Sequence, residues 1–158
     1  MTTGKYDHLI VRDPLYEKMP NEQGSTGGSV TATTTFMSAA QVEGSPLHIS
    51  WGIISSVPQA NATYVGPHDH PYDEVLFFQG FNPEDPKDLG AVIDLQLEDE
   101  TVVIDATCGV YIPAGMTHCP MTVRRVDRPY GLAAILLNGR YETMGYSTPD
   151  DAPRALVA

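Results

Sequence analysis

The sequence predicts an all-β protein of the sandwich or barrel type. From about residue 30 onward, short runs rich in Val, Ile, Tyr, Phe and Thr recur along the chain, and Gly, Pro, Asn and Asp separate them. One of these runs, Ala91–Glu98, alternates apolar and polar residues with the period of a half-buried strand. No long segment has a helical pattern. Many short strands at regular spacing favour a sandwich or a barrel.

The chain divides into three predicted regions. Residues 1–30 form an N-terminal arm and a flexible loop, because residues 21–29 read NEQGSTGGS. Residues 31–140 form the β domain, and residues 141–158 form a turn-rich C-terminal tail. Since the chain has 158 residues, we expect a single domain. Nine strands are predicted, over residues 29–37, 48–57, 62–70, 74–81, 91–98, 100–106, 109–114, 118–126 and 131–138.

Charge and composition exclude several classes of partner. Lys and Arg number 9 against 20 Asp and Glu, so the net charge is −11, and no basic stretch is present. We therefore expect no binding to nucleic acid or to an anionic membrane surface. The first residues lack the apolar run of a signal peptide, which predicts a cytoplasmic protein. Two cysteines, Cys108 and Cys119, are too few for a disulfide scaffold and are expected to be reduced thiols.

The segment from Gly66 to Gly80, GPHDHPYDEVLFFQG, contains the first candidate metal ligands. Residues two apart on an extended strand point to the same side, so His68 and His70 would both face one site. A proline cannot donate to a sheet ladder, and Pro71 is therefore expected to end that strand. Glu74 would then open the next strand and add a carboxylate to the two imidazoles.

A second segment, GVYIPAGMTHCP at residues 109–120, supplies a fourth candidate ligand. A strand runs into the turn formed by Pro113, Ala114 and Gly115, and His118 follows that turn. Three imidazoles and one carboxylate suit Fe, Mn, Ni, Cu or Zn and do not suit a calcium-type oxygen cage. The residue types alone do not choose among these metals.

The two segments together resemble the two motifs of the cupin superfamily, G-x5-H-x-H-x(3,4)-E-x6-G and G-x5-P-x-G-x2-H-x3-N. The metal positions match at His68, His70, Glu74 and His118, whereas the flanking glycines are closer to them than in the motifs, and Thr122 replaces the final Asn. The resemblance covers about residues 45–138. It implies a single-domain cupin, a double-stranded β-helix or jelly-roll barrel, in which these four residues bind one divalent transition metal.

The resemblance also implies an enzyme. The favoured function is an Fe(II) dioxygenase-type C–C cleavage of a small oxygenated substrate that chelates the metal, with Mn, Zn or Ni as alternative ions. The first alternative is a non-redox isomerase, lyase, decarboxylase or hydrolase that uses the ion as a Lewis acid. Such a reaction needs a proton carrier, for which the candidates are Tyr64, which could otherwise line the pocket, and metal-bound water. A further alternative is a small-molecule-binding module without catalysis.

Single-domain cupins commonly form dimers, so the resemblance also implies a homodimer. The N-terminal arm and the C-terminal tail offer segments that a second copy could bind. The expected partners are therefore a small-molecule substrate and a second copy of the chain.

Overall fold

A computed structural model describes residues 4–18, 34–57, 66–141 and 145–147. In these ranges the chain forms strands joined by turns, with one short 3-10 helix at Asp7–Leu9. The strands are β1 Leu15–Lys18, β2 Thr34–Met37, β3 His48–Ile54, β4 Glu74–Gly80, β5 Asp88–Leu97, β6 Glu100–Ala106, β7 Cys108–Ile112, β8 His118–Val126, β9 Tyr130–Leu136 and β10 Gly145–Ser147. The predicted all-β class is confirmed.

The strands form two antiparallel sheets. The larger sheet has the order β10-β1-β2-β3-β9-β4-β7, and the smaller has the order β6-β5-β8. Residues alternate between buried and partly exposed along β3 and the first half of β4, as expected for strands with one face toward a core. The core lies between the two sheets, because its buried side chains come from both of them.

Strand β5 agrees with its sequence pattern. Ile93 and Leu95 are fully buried in the core, and Leu97 packs against it, while Asp94 and Gln96 are partly exposed. The strand begins at Asp88, three residues earlier than predicted, and its pairing with β6 shifts register between Asp88 and Ile93. A bulge of this kind accommodates extra residues that an alternating pattern does not contain.

Two features differ from the sequence-based expectation. The strand predicted over 62–70 is absent from its described part, residues 66–70, which are irregular except for an isolated bridge at His68. The sequence also predicted no strand in the arm or the tail, yet β1 pairs with both β2 and β10. Such pairing between distant segments depends on tertiary contacts, which local propensity does not contain. No helix among the described residues is long and apolar enough to span a membrane.

Candidate metal centre

Backbone hydrogen bonds join the two motif segments. The N–H of His68 donates to the carbonyl of His118 at 3.1 Å, and the N–H of His118 donates back to the carbonyl of His68 at 2.9 Å. The N–H of Gly115 donates to the carbonyl of His70 at 2.9 Å. These three bonds fix the first histidine pair against the start of β8, so that side chains about 50 residues apart in sequence meet.

The turn before His118 has the conformation that its sequence predicts. The N–H of Met116 donates to the carbonyl of Pro113 at 3.1 Å, and Gly115 has a φ of +80°. The bond makes Pro113 the first and Met116 the last residue of a four-residue turn, and glycine in its third position tolerates the positive φ. The N–H of Ala114 donates to Asp73 Oδ1 at 2.9 Å, which attaches the turn to the residue before Glu74.

Asp73 therefore has a structural role in this turn. The Ala114 N–H and the Tyr111 hydroxyl both stabilise its carboxylate, and they lower the pKa of Asp73 below its usual value. Tyr111 is correspondingly held in its neutral form, since its hydrogen bond to Asp73 raises the pKa of the phenol. Asp73 lies between candidate ligands in the sequence, but its carboxylate accepts hydrogen bonds from Ala114 in the turn and from Tyr111.

Four side chains converge at one end of the core: His68, His70, Glu74 and His118. Glu74 is the first residue of β4, as predicted, and its carboxylate is buried. Its Oε2 atom lies 3.0 Å from His70 Nε2 and 3.1 Å from His118 Nε2. The three histidines offer ligand atoms that all lie within 4.8 Å of one another. They are thus placed where they can hold a single metal ion.

The backbone sets the orientation of all three imidazole rings. The Nδ1 atom of His68 lies 3.0 Å from the Gly66 carbonyl, that of His118 lies 3.0 Å from the Met116 carbonyl, and that of His70 lies 2.6 Å from the Tyr72 carbonyl. A carbonyl oxygen can only accept a hydrogen bond, so each Nδ1 carries the proton and donates it. When such a ring is neutral, its lone pair lies on Nε2 and can bind a metal ion, and a carbonyl that accepts from the other ring nitrogen orients histidines in this way in metal sites. When the ring is protonated, Nε2 carries a proton that can be donated to Glu74 instead.

The electrostatics of the site favour a cation. Burial raises the pKa of Glu74, but the hydrogen bonds from His118 and His70 outweigh it, and the net pKa is lowered. Burial lowers the pKa of His118, but Glu74 and the Met116 carbonyl outweigh it, and the net pKa is raised. Burial is the largest influence on His68 and lowers its pKa. A buried carboxylate beside nitrogen lone pairs is electrostatically favourable only with a proton or a metal ion between them.

Tyr64 and other side chains near these segments do not belong to the described cluster. Tyr64, the candidate proton carrier, lies outside the described residues. Phe78 is completely buried in the core, and Cys119 is buried in the same core. Burial, together with the charge of Glu74, raises the pKa of the Cys119 thiol to about 12, so it remains protonated. Arg124 is exposed and forms an ion pair with Asp94, which is not one of the four converging side chains.

Sequence reasoning missed one polar group at the site, Tyr141. Its hydroxyl lies 3.3 Å from His68 Nε2. Its ring lies against that of His48, with 5.9 Å between the centroids. His48 is itself fully buried, and its Nε2 lies 3.1 Å from the Ser50 hydroxyl. Tyr141 follows β9 in a segment without a recognisable motif, so only the folded chain reveals its position.

Comparison with known proteins identifies the fold. No protein-family model matches the sequence, and no curated protein matches it either. The structure of a cupin-2 domain protein from Rhodospirillum rubrum aligns over 87% of this chain and 78% of its own, with a TM-score of 0.51 and 12% sequence identity. The chain has the cupin fold. The expected jelly-roll architecture is thereby confirmed.

Two further cupin-like matches have lower scores. A Cupin 2 conserved barrel domain protein from Salinispora arenicola is 18% identical and aligns over 66% of this chain and 73% of its own, with a TM-score of 0.44. An oxalate oxidase in complex with the substrate analogue glycolate is 14% identical and aligns over 79% of this chain and 57% of its own, with a TM-score of 0.49. The assignment of the cupin fold depends on the Rhodospirillum alignment, and these identities indicate nothing about activity.

Proposed function

We propose that the protein is an enzyme that binds one divalent transition-metal ion through His68, His70, His118 and Glu74 and acts on a small oxygenated molecule. The observation that supports this most strongly is the anchoring of all three Nδ1 atoms on backbone carbonyls. This anchoring presents three Nε2 lone pairs, two of them beside the buried Glu74 carboxylate. A mixed nitrogen and oxygen donor set suits Fe, and Mn, Zn or Ni are the alternatives.

The leading reaction is an iron-dependent dioxygenation. In this reaction both atoms of O2 enter the substrate, and one C–C bond is cleaved. Candidate substrates are β-dicarbonyls, enediols and dihydroxy-aromatics, which offer two oxygens to an ion. A bound ion would act as a Lewis acid and as a template that orients the substrate. The chain's own residues would fix the ion's position, and the surrounding core would exclude bulk water.

One observation favours the second candidate, a non-redox isomerase, lyase, decarboxylase or hydrolase. This candidate needs a group that can move a proton, and Glu74 is assigned to the metal. The Tyr141 hydroxyl supplies such a group 3.3 Å from His68 Nε2. Turnover in the absence of oxygen would establish this reaction class, and strict dependence on O2 would exclude it.

The first test is elemental analysis of the purified protein beside two variants, His70→Ala and His118→Ala. His8→Ala is the matched control, because His8 lies in the exposed 3-10 helix at the N-terminal end. We expect about one ion per chain in the native protein and in the control, and loss of that ion in both site variants. Iron would lead to oxygen-uptake assays with diketones and diols, and Zn, Mn or Ni would favour the non-redox reaction. Absence of metal after reconstitution would contradict the proposal.

The assembly state and the location also remain proposals. We propose a cytoplasmic homodimer that has no nucleic-acid or membrane partner. Light scattering at micromolar concentration tests the dimer, since a mass near 34 kDa is expected from two chains of 17.1 kDa. A mass near that of one chain would exclude it.

A further inference from the structure

The hydroxyl of Tyr141 and the metal-binding face of His68 occupy the same small region. Tyr141 Oη lies 3.3 Å from His68 Nε2. Since the Nδ1 proton of His68 is donated to the Gly66 carbonyl, Nε2 has a lone pair and accepts a hydrogen bond from the hydroxyl. That lone pair can bind the hydroxyl proton or a metal ion, but not both.

The chain holds Tyr141 in this position from both sides. Before it, the N–H of Leu137 donates to the carbonyl of Asp73 at 2.9 Å, next to the ligand Glu74. The Gly139 carbonyl accepts from the N–H of Ala39 at 2.8 Å, and a Cβ atom at Gly139 would collide with the Ser45 carbonyl. After Tyr141, strand β10 pairs with β1. The described residues on both sides of Tyr141 are thus attached to the larger sheet, which includes β4 with Glu74.

A second polar side chain supports the ring of Tyr141. His48 lies opposite Leu136 on β9, and Leu136 lies opposite Glu74 on β4, so the three side chains share one face of the sheet. His48 and Glu74 are both buried on that face. The Tyr141 ring packs against the His48 ring, and its hydroxyl forms the hydrogen bond with His68. The contact with His48 involves the tyrosine ring and not its hydroxyl, so it orients the hydroxyl and would remain in a variant that lacks it.

We propose that Tyr141 is the residue that recognises the substrate at the metal centre, by donating a hydrogen bond from its hydroxyl to an oxygen atom of the bound molecule. The proposal rests on the metal-dependent function proposed above. When an ion occupies the lone pair of His68 Nε2, the hydroxyl loses that acceptor. It then lies beside the ion and can donate to an oxygen there. The ligand class is therefore a small molecule that presents an anionic or carbonyl oxygen at the metal.

The test compares two probes on Co(II)-loaded protein, with visible absorption as the readout. Acetohydroxamate presents oxygen acceptors at the metal, whereas imidazole binds through nitrogen and presents no oxygen. Tyr141→Phe keeps the ring against His48 and removes only the hydroxyl. Tyr6→Phe is the control, because Tyr6 lies on the exposed N-terminal segment. We expect Tyr141→Phe to weaken acetohydroxamate binding by about threefold to tenfold, the usual effect of one lost hydrogen bond.

The other measurements separate this proposal from the metal centre itself. Tyr141→Phe should bind one equivalent of Co(II) and should bind imidazole as tightly as the native protein does. Unchanged acetohydroxamate affinity in Tyr141→Phe would overturn the role of Tyr141 and leave the metal centre intact. Equal weakening of both probes would also overturn it, since Tyr141 would then act on the ion. Failure of the native protein to bind Co(II) would refute the metal centre and this proposal with it.

Discussion

Replacing Glu74 by Gln changes the charge of the proposed metal centre with little change in shape. Glu74 is 4% exposed, and its Oε2 atom contacts both His70 Nε2 and His118 Nε2. The amide keeps the size of the side chain but removes the negative charge. Metal affinity falls by about 10- to 100-fold when a group that only hydrogen-bonds to a metal ligand is removed. Removing the charge of the ligand itself should therefore lower the metal affinity by about 100-fold or more.

This change in affinity converts into a measurable change in stability. A ligand that binds only the folded state stabilises it by RT ln(1 + [L]/Kd). At a metal concentration about 1,000 times the native Kd, the native protein gains about 4.1 kcal/mol, and a variant with 100-fold weaker binding gains about 1.4 kcal/mol. The difference of about 2.7 kcal/mol corresponds to about 5–11 °C in Tm for a chain of this size.

The assay is thermal unfolding of the native protein and of Glu74→Gln, each with and without metal. The metal-dependent increase in Tm is compared between the proteins, because Glu74→Gln also weakens the charge-assisted hydrogen bonds with His70 and His118 in the metal-free form. Glu100→Gln, at an exposed position on β6, is the control and should behave as the native protein does. An equal increase in Tm for Glu74→Gln and the native protein would refute the assignment of Glu74 as a ligand.

Three further predictions concern side-chain packing. Gly131→Ala should lower the free energy of unfolding, measured by urea denaturation, by about 1–3 kcal/mol, because a Cβ atom there would collide with the Trp51 ring. Native stability in this variant would refute the contact. Leu95→Ala should lower the free energy of unfolding by about 2–5 kcal/mol, since Leu95 is completely buried. A decrease below about 1 kcal/mol would contradict its position in the core. In a Cys108→Ala background, Cys119 should resist thiol reagents at pH 8 until the protein unfolds. Burial raises the pKa of its thiol to about 12, and rapid native labelling would contradict that.

The sequence predicted the parts of the molecule that depend on local pattern. The alternation of Ile93, Leu95 and Leu97 identified a half-buried strand, and Pro113 with Gly115 identified the turn before β8. Four candidate ligands were identified by residue type and spacing, and the folded chain brings them together. Their role as ligands stays a prediction.

The sequence did not predict the features that depend on distant contacts. His68 and His70 were expected on a regular strand, yet they lie in an irregular segment held by the bridge between His68 and His118 and by the hydrogen bond from Gly115 to His70. Backbone hydrogen bonds between His68 and His118 thus bring the four side chains together, although His68 and His70 do not lie on a regular strand. Tyr141 was missed for a related reason, since its position depends on the pairing of β10 with β1 and on contacts of Gly139 with residues 39 and 45.

X-ray absorption spectroscopy at the edge of the bound metal tests the central claim most directly, because it reports the ligands of the ion without any substrate. The geometry predicts a first shell of nitrogen and oxygen at about 2.0–2.2 Å, with outer-shell scattering from three imidazole rings. A shell that contains sulfur at about 2.3 Å, or one without imidazole scattering, would contradict the proposed centre.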